Sequence, residues 1–146
     1  MTEPVDAAAR LRATDPDQSF VVRAPAGSGK TGLLTQRFLR TLARVQAPEQ
    51  VLAVTFTRKA AAEMQTRILA ALTEAVAVHD QGVPLPEDAF ARQTVTFALE
   101  AWENAQSLGF DPLAEPHRLK ILTIDSLCAA IVGRSPLGGE PVPQYT

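Results

Sequence analysis

The sequence predicts an α/β domain built on a parallel sheet flanked by helices. Short apolar, β-rich runs recur at residues 19–24 (SFVVRA), 51–56 (VLAVTF) and 119–124 (LKILTI). Each leads into a stretch with helical spacing of its apolar residues. A glycine-rich turn joins the first run to the first helical stretch, as expected where a strand hands the chain to a helix.

The elements follow in order. Residues 19–24 read as a strand feeding directly into APAGSGKT at 24–31. From Thr31 onward, Leu34, Phe38 and Leu42 recur every fourth residue with Arg37, Arg40 and Arg44 between them, which predicts an amphipathic helix whose region ends at Pro48. Residues 51–56 are almost all apolar or β-branched, the pattern of a central strand buried on both faces. Thr57 is placed to cap the next helix, RKAAAEMQTRILAALTEAVAV, whose alanine content and Met64, Ile68, Leu72 spacing favour helix strongly. HDQGVPLPED, with Gly82, Pro84 and Pro86, reads as a connection, after which Phe90, Phe97 and Ala101 mark a second helical face that Trp102 seals against its neighbour. The run at 119–124 is a third strand ending at Asp125 and Ser126, and residues 127–132 begin another helix. The closing GRSPLGGEPVPQYT has turn and linker chemistry.

Composition bounds the function. A chain of 146 residues fits one ordinary domain that buries roughly two-thirds of its unfolded surface, and 46% hydrophobic with 21% charged residues is globular composition. The net charge of −2 gives no domain-wide basic signature, so any nucleic-acid contact must come from a local patch. The single cysteine, Cys128, excludes an internal disulfide, fits a reducing cytosol and reads as a small buried hydrophobe. The first ten residues carry acids and no apolar run behind basic residues, and no stretch approaches membrane-spanning length; a cytoplasmic protein is expected.

The glycine loop carries the clearest chemistry. Ala24, Pro25, Ala26, Gly27, Ser28, Gly29, Lys30 and Thr31 match the phosphate-binding loop pattern, with Ala24 where the strict form has glycine. Gly27 and Gly29 permit the close turns that aim backbone N–H groups at a triphosphate, and the following helix adds its positive N-terminal end. Lys30 is the candidate catalytic residue, reaching the β- and γ-phosphates of ATP, and Thr31 offers a hydroxyl to Mg²⁺. Such an enzyme also needs a strand-end aspartate, usually beside a second acid. The adjacent pair Glu87–Asp88 follows two prolines and does not end a strand. Asp125 ends one but is followed by Ser126, which leaves open a complete small phosphate-loop kinase or ATPase using Asp125 on the metal, and also a passive single-stranded DNA-binding module.

Three blocks taken together, APAGSGKT at 24–31, TFTRKAAAEMQTRI at 55–68 and TIDSLC at 123–128, resemble the first motifs of the UvrD/Rep superfamily of DNA helicases, and most closely its RecB/AddA-like branch. The resemblance runs from about Ser19 to Val132. It implies a RecA-like phosphate-loop NTPase sheet, incomplete here, with an N-terminal segment at 1–18, a partial first motor domain at 19–134 and a Pro/Gly-rich truncated end at 135–146. It further implies that Thr55, Phe56, Thr57 and Arg58 face single-stranded DNA, with Thr123, Asp125 and Ser126 near its backbone. The residue chemistry agrees, since an aromatic ring can stack on a base and hydroxyl and guanidinium groups can bind phosphate. Phe56 also reads as core, Thr57 as only a helix cap, Lys59 and Glu63 as an exposed pair, and Asp125 as a cap for the next helix. Many relatives carry histidine where this chain has Asp125. The upstream stretch VDAAARLRATDPDQ lacks the leucine-asparagine-x-x-glutamine context with which the family reads adenine, and Gln18 lies close to the loop. The implied parent is an ATP-dependent DNA helicase of repair or recombination, moving 3′ to 5′ on single-stranded or duplex DNA, with a nuclease-helicase partner subunit. This chain alone is expected to be inactive.

Overall fold

Helix boundaries in this chain are set by capping groups that the sequence already displays. Thr57 adopts extended backbone (φ −124°, ψ 149°) and its Oγ1 accepts from the Ala60 N–H at 3.0 Å. The helix it opens ends at Gly82, whose φ of 67° lies in the left-handed region that glycine tolerates. Asp88 caps a second long helix by accepting from the Ala91 N–H at 2.9 Å.

The computed structural model describes residues 7–23 and 30–133. Its elements are α1 (Ala7–Ala13), α2 (Lys30–Leu42), β1 (Leu52–Thr55), α3 (Arg58–Gln81), α4 (Ala89–Leu108), β2 (Lys120–Thr123) and α5 (Ile124–Gly133). Short 3-10 turns at Pro48–Gln50 and Pro116–Arg118 precede the two strands. β1 and β2 pair in parallel, with Leu52 opposite Lys120 and Thr55 opposite Thr123. The protein is therefore a mixed α/β structure with a two-stranded parallel sheet among the described residues.

The core lies on one side of that sheet. Leu39 and Leu42 of α2, Ile68 and Leu72 of α3, and Ala98 and Ala101 of α4 are buried together with Ile121 of β2. Trp102 packs on the edge of this cluster, its ring 4.7 Å from the His79 ring of α3. At the amino ends of the strands, Arg118 donates from Nε to Glu49 at 2.7 Å and sits 5.1 Å from the Phe110 ring. The hydrogen bond from that guanidinium holds the Glu49 carboxyl below its ordinary range.

Several sequence expectations are corrected. Among the described residues, 51–56 do not form a strand covered on both faces: Leu52 and Val54 are 49% and 41% exposed, and the core packs on the face carrying Ala53 and Ile121. Residues 19–23 are not a strand, since the ladder joins only β1 to β2 and leaves Val21 85% exposed; Ala24 lies outside the described residues. Phe38 and Leu42 are buried as expected, but Leu34 faces outward at 48% exposure while Leu33 and Leu39 turn inward beside them. Phe90 is likewise exposed, and α2 ends at Leu42, well before Pro48. Cys128 is exposed on α5 rather than buried. Residues 7–13, read only as part of an N-terminal segment, form α1.

The end of α2 depends on a side chain from another helix. Asn104 of α4 donates from Nδ2 to the carbonyls of Leu42 and Val45, at 3.0 and 2.9 Å, and so satisfies groups that a helix terminus leaves without partners. Asn104→Ala is expected to destabilise the fold by about 1–3 kcal/mol, the range for a buried polar group deprived of its partner. Urea unfolding followed by Trp102 fluorescence should show a lower midpoint at unchanged slope. An unmoved midpoint would mean that water replaces the amide without cost.

Candidate nucleotide and DNA site

A parallel register has a geometric consequence: the segments after the two strands emerge at the same edge of the sheet. Pairing of Thr55 with Thr123 therefore brings the segment 55–58 beside the segment 123–126. The two groups of residues, separated by more than sixty positions in the chain, form one surface.

Each segment is held in shape by its own hydroxyls. Thr55 Oγ1 donates to the Thr57 carbonyl at 2.9 Å, folding the turn, while Thr57 Oγ1 caps α3. Thr123 is buried, at 8% exposure; its Oγ1 donates to Ser126 Oγ at 2.9 Å and accepts from the Ser126 N–H at 3.1 Å. Thr123 thus caps α5, the part assigned from sequence to Asp125, which instead lies exposed in the first turn of that helix. Phe56 projects outward at 88% exposure and lies outside the core formed by the described residues. Arg58 and Lys59 are exposed at the start of α3. Glu63 forms its ion pair with Arg67 at 3.2 Å, one turn further along than the expected pairing with Lys59.

Lys30 and Thr31 open α2, the first exposed and the second half-buried. The remaining loop residues, Ala24, Pro25, Ala26, Gly27, Ser28 and Gly29, lie outside the described residues. Lys30 borders a cavity of about 220 Å³ whose walls among the described residues also include Ala13, Phe20, Val22, Leu33, Leu34 and Arg37. None of these comes from either strand, so the cavity is separate from the Phe56 edge.

The model of the UvrD/REP helicase N-terminal domain matches residues 5–137. The chain belongs to the UvrD/REP helicase N-terminal domain family. Among its relatives, an ATP-dependent helicase/nuclease subunit from Lachnoclostridium phytofermentans is 32% identical over 137 residues, covering 85% of this chain and 10% of the relative. Proteins of the same name from Desulforudis audaxviator and Levilactobacillus brevis are 40% identical over 89 residues and 44% identical over 75 residues. Those matches cover 59% and 51% of this chain, and 7% and 6% of the relatives. The chain thus spans about a tenth or less of these relatives' length. No solved structure matches the chain.

Two further features of this UvrD/REP family chain bear on the site. The acidic pair Glu87–Asp88 sits at the start of α4, where Asp88 serves as a helix cap. Among the described residues no helix is long and apolar enough to cross a membrane, and no group of His, Cys, Asp and Glu side chains is placed to hold a metal ion.

The sequence reading missed a cluster that the structure makes plain. Arg37, Arg40 and Arg44 bind the end of α1 and the segment after it. Arg37 donates to the carbonyls of Ala13, Asp15 and Gln18 at 2.8, 3.0 and 2.8 Å. Arg40 donates to Thr14 Oγ1 at 2.8 Å, and Arg44 pairs with Asp17 at 2.6 Å. Only the regular spacing of the arginines hinted at this, and spacing alone does not distinguish water from backbone carbonyls as their partners.

Proposed function

We propose that this chain is the ATP-binding portion of an ATP-dependent DNA helicase acting in repair or recombination, built as a RecA-like phosphate-loop NTPase. The DNA half of this reading is carried by Phe56, a large aromatic side chain left almost wholly in water at the carboxyl end of a parallel strand. Leaving such a ring exposed is costly to solubility and useful for stacking on a base. The Thr55 and Thr57 hydroxyls and the Arg58 guanidinium flank it as phosphate partners. Having accepted from Thr123, Ser126 Oγ keeps its own proton to donate, so Thr123 acts by orienting Ser126. Asp125, an anion in the same turn, keeps the strand from settling too closely there.

For nucleotide, a primary ammonium and a hydroxyl on the first turn of α2 fit the requirements of a polyphosphate and its cation. Lys30 would neutralise the β- and γ-phosphates and Thr31 would ligate Mg²⁺, with the amides of residues 24–29 around them. Mg²⁺ held there would supply positive charge to offset that of the phosphates. With Asp88 committed to capping α4 and Asp125 followed by Ser126, these residues alone are expected to bind Mg·ATP weakly and to hydrolyse it negligibly. In the whole protein we place the chain in the cytoplasm, moving 3′ to 5′ on DNA beside a partner subunit, the last in keeping with the name carried by its relatives.

Phe56→Ala is expected to weaken binding of a fluorescent single-stranded oligonucleotide roughly tenfold, the worth of one stacked base, with thermal stability unchanged. Anisotropy titrations of the two proteins measure it. Equal affinities would remove Phe56 from the DNA surface. Robust DNA-stimulated phosphate release by the chain alone, or transfer of phosphate to a small acceptor that Asp125→Asn abolishes, would favour a complete enzyme instead.

A further inference from the structure

The arginine cluster on α2 raises a question that helix packing does not answer: why one guanidinium is spent on three backbone carbonyls. Arg37 has five N–H donors in a planar fork. Its contacts to Ala13, Asp15 and Gln18 fix a stretch that, after α1 ends, has no strand or helix of its own to hold it. Thr14, fully buried, anchors the same stretch by donating to the Leu11 carbonyl at 2.6 Å and accepting from Arg40. The consequence is felt a few residues later. Phe20 is set with its ring 5.6 Å from the Arg37 guanidinium, and with Val22 and Leu33 it walls the cavity that Lys30 borders.

That cavity is lined by apolar and aromatic side chains together with the Lys30 ammonium and the Arg37 guanidinium. A ligand that suits both has a flat, weakly polar ring system joined to an anionic tail, which is the chemistry of a nucleotide. We propose that Arg37 is a positioning residue for nucleotide binding: it holds the segment 13–20 against α2 so that Phe20 and Val22 form the wall on which the nucleoside rests while Lys30 takes the phosphates. The inference rests on the reading of residues 24–31 as a phosphate-binding loop. It adds that affinity for the nucleoside end is set by an arginine that borders the cavity but spends its guanidinium on backbone carbonyls, and by shape and stacking rather than by a side-chain amide.

The test separates the two ends of the ligand. Isothermal titration calorimetry on the 146-residue chain, in Mg²⁺, compares ATP with inorganic tripolyphosphate for the wild type, Arg37→Met and Phe20→Ala. Both variants should lose roughly fivefold to tenfold in ATP affinity, the worth of one charge-assisted or stacking contact, and keep tripolyphosphate affinity within about twofold. Arg37→Lys, which has the charge but not the planar fork, should not restore ATP binding. Phe20 is part-exposed and its removal leaves the core intact, so Phe20→Ala remains informative if Arg37→Met unfolds. An equal loss for both ligands, or no loss for ATP, overturns the inference while leaving the phosphate loop standing. A wild-type chain that takes up neither ligand overturns both.

Discussion

Leu39→Ala should lower the unfolding free energy by about 2–5 kcal/mol, the cost of emptying a buried leucine site that cannot fully collapse. Leu39 has no solvent exposure and belongs to the cluster shared by α2, α3, α4 and the sheet. Its neighbours there, Ile68, Leu72 and Ala98, are themselves fully buried on other helices, so no single side chain can move to fill the void. Against a typical domain stability of about 5–15 kcal/mol, a loss of that size brings the protein to the margin of unfolding. Leu34→Ala, on the same helix but half-exposed, should cost less than about 1 kcal/mol. Chemical denaturation of the two variants in parallel, read from Trp102, measures the contrast. Similar losses at both positions would mean that the buried face of α2 is misplaced by a residue.

That contrast marks the limit of what periodicity discloses. A four-residue spacing of Leu34, Phe38 and Leu42 identified a helix correctly, yet Leu33, Leu39 and Leu42 are the leucines that turn inward. Adjacent leucines at 33 and 34 make the two faces nearly equivalent in sequence, and only the packing of the rest of the chain distinguishes them. The start of α3 was more legible because its cap is local: Thr57 opens the helix as read, and Met64, Ile68 and Leu72 face the core along it, although α3 runs through His79, Asp80 and Gln81, read as connection, before Gly82 ends it. Strand burial was the least legible feature. VLAVTF has apolar residues for two faces, but whether a face is covered depends on elements elsewhere in the chain, and among the described residues only one face is. The same holds for the site. Phe56, at the end of an apolar run, fitted core and surface alike until β1 was seen to stop at Thr55 and release the ring into water. Arg37 was visible as a charge and invisible as a clasp, because its partners are carbonyls and every residue has one.

Lys30→Ala should reduce Mg·ATP affinity roughly 100-fold, the effect of withdrawing an ammonium that makes charge-assisted contacts to two phosphates. The prediction is sharp because nothing else is expected to change. Lys30 is exposed on the first turn of α2, outside the core, and alanine favours helix at least as well. Thermal stability should therefore stay within about 0.5 kcal/mol of wild type, the usual span for an exposed substitution. Oligonucleotide binding should also persist, since the Phe56 edge and the cavity beside Lys30 share no residues. Mant-ATP fluorescence, oligonucleotide anisotropy and a thermal melt on one preparation test all three together. Loss of nucleotide with DNA binding retained places the ammonium on the polyphosphate. Undiminished Mg·ATP binding would sink the phosphate-loop assignment, because a helix terminus and backbone amides would then suffice without the one cation that the loop delivers to its ligand.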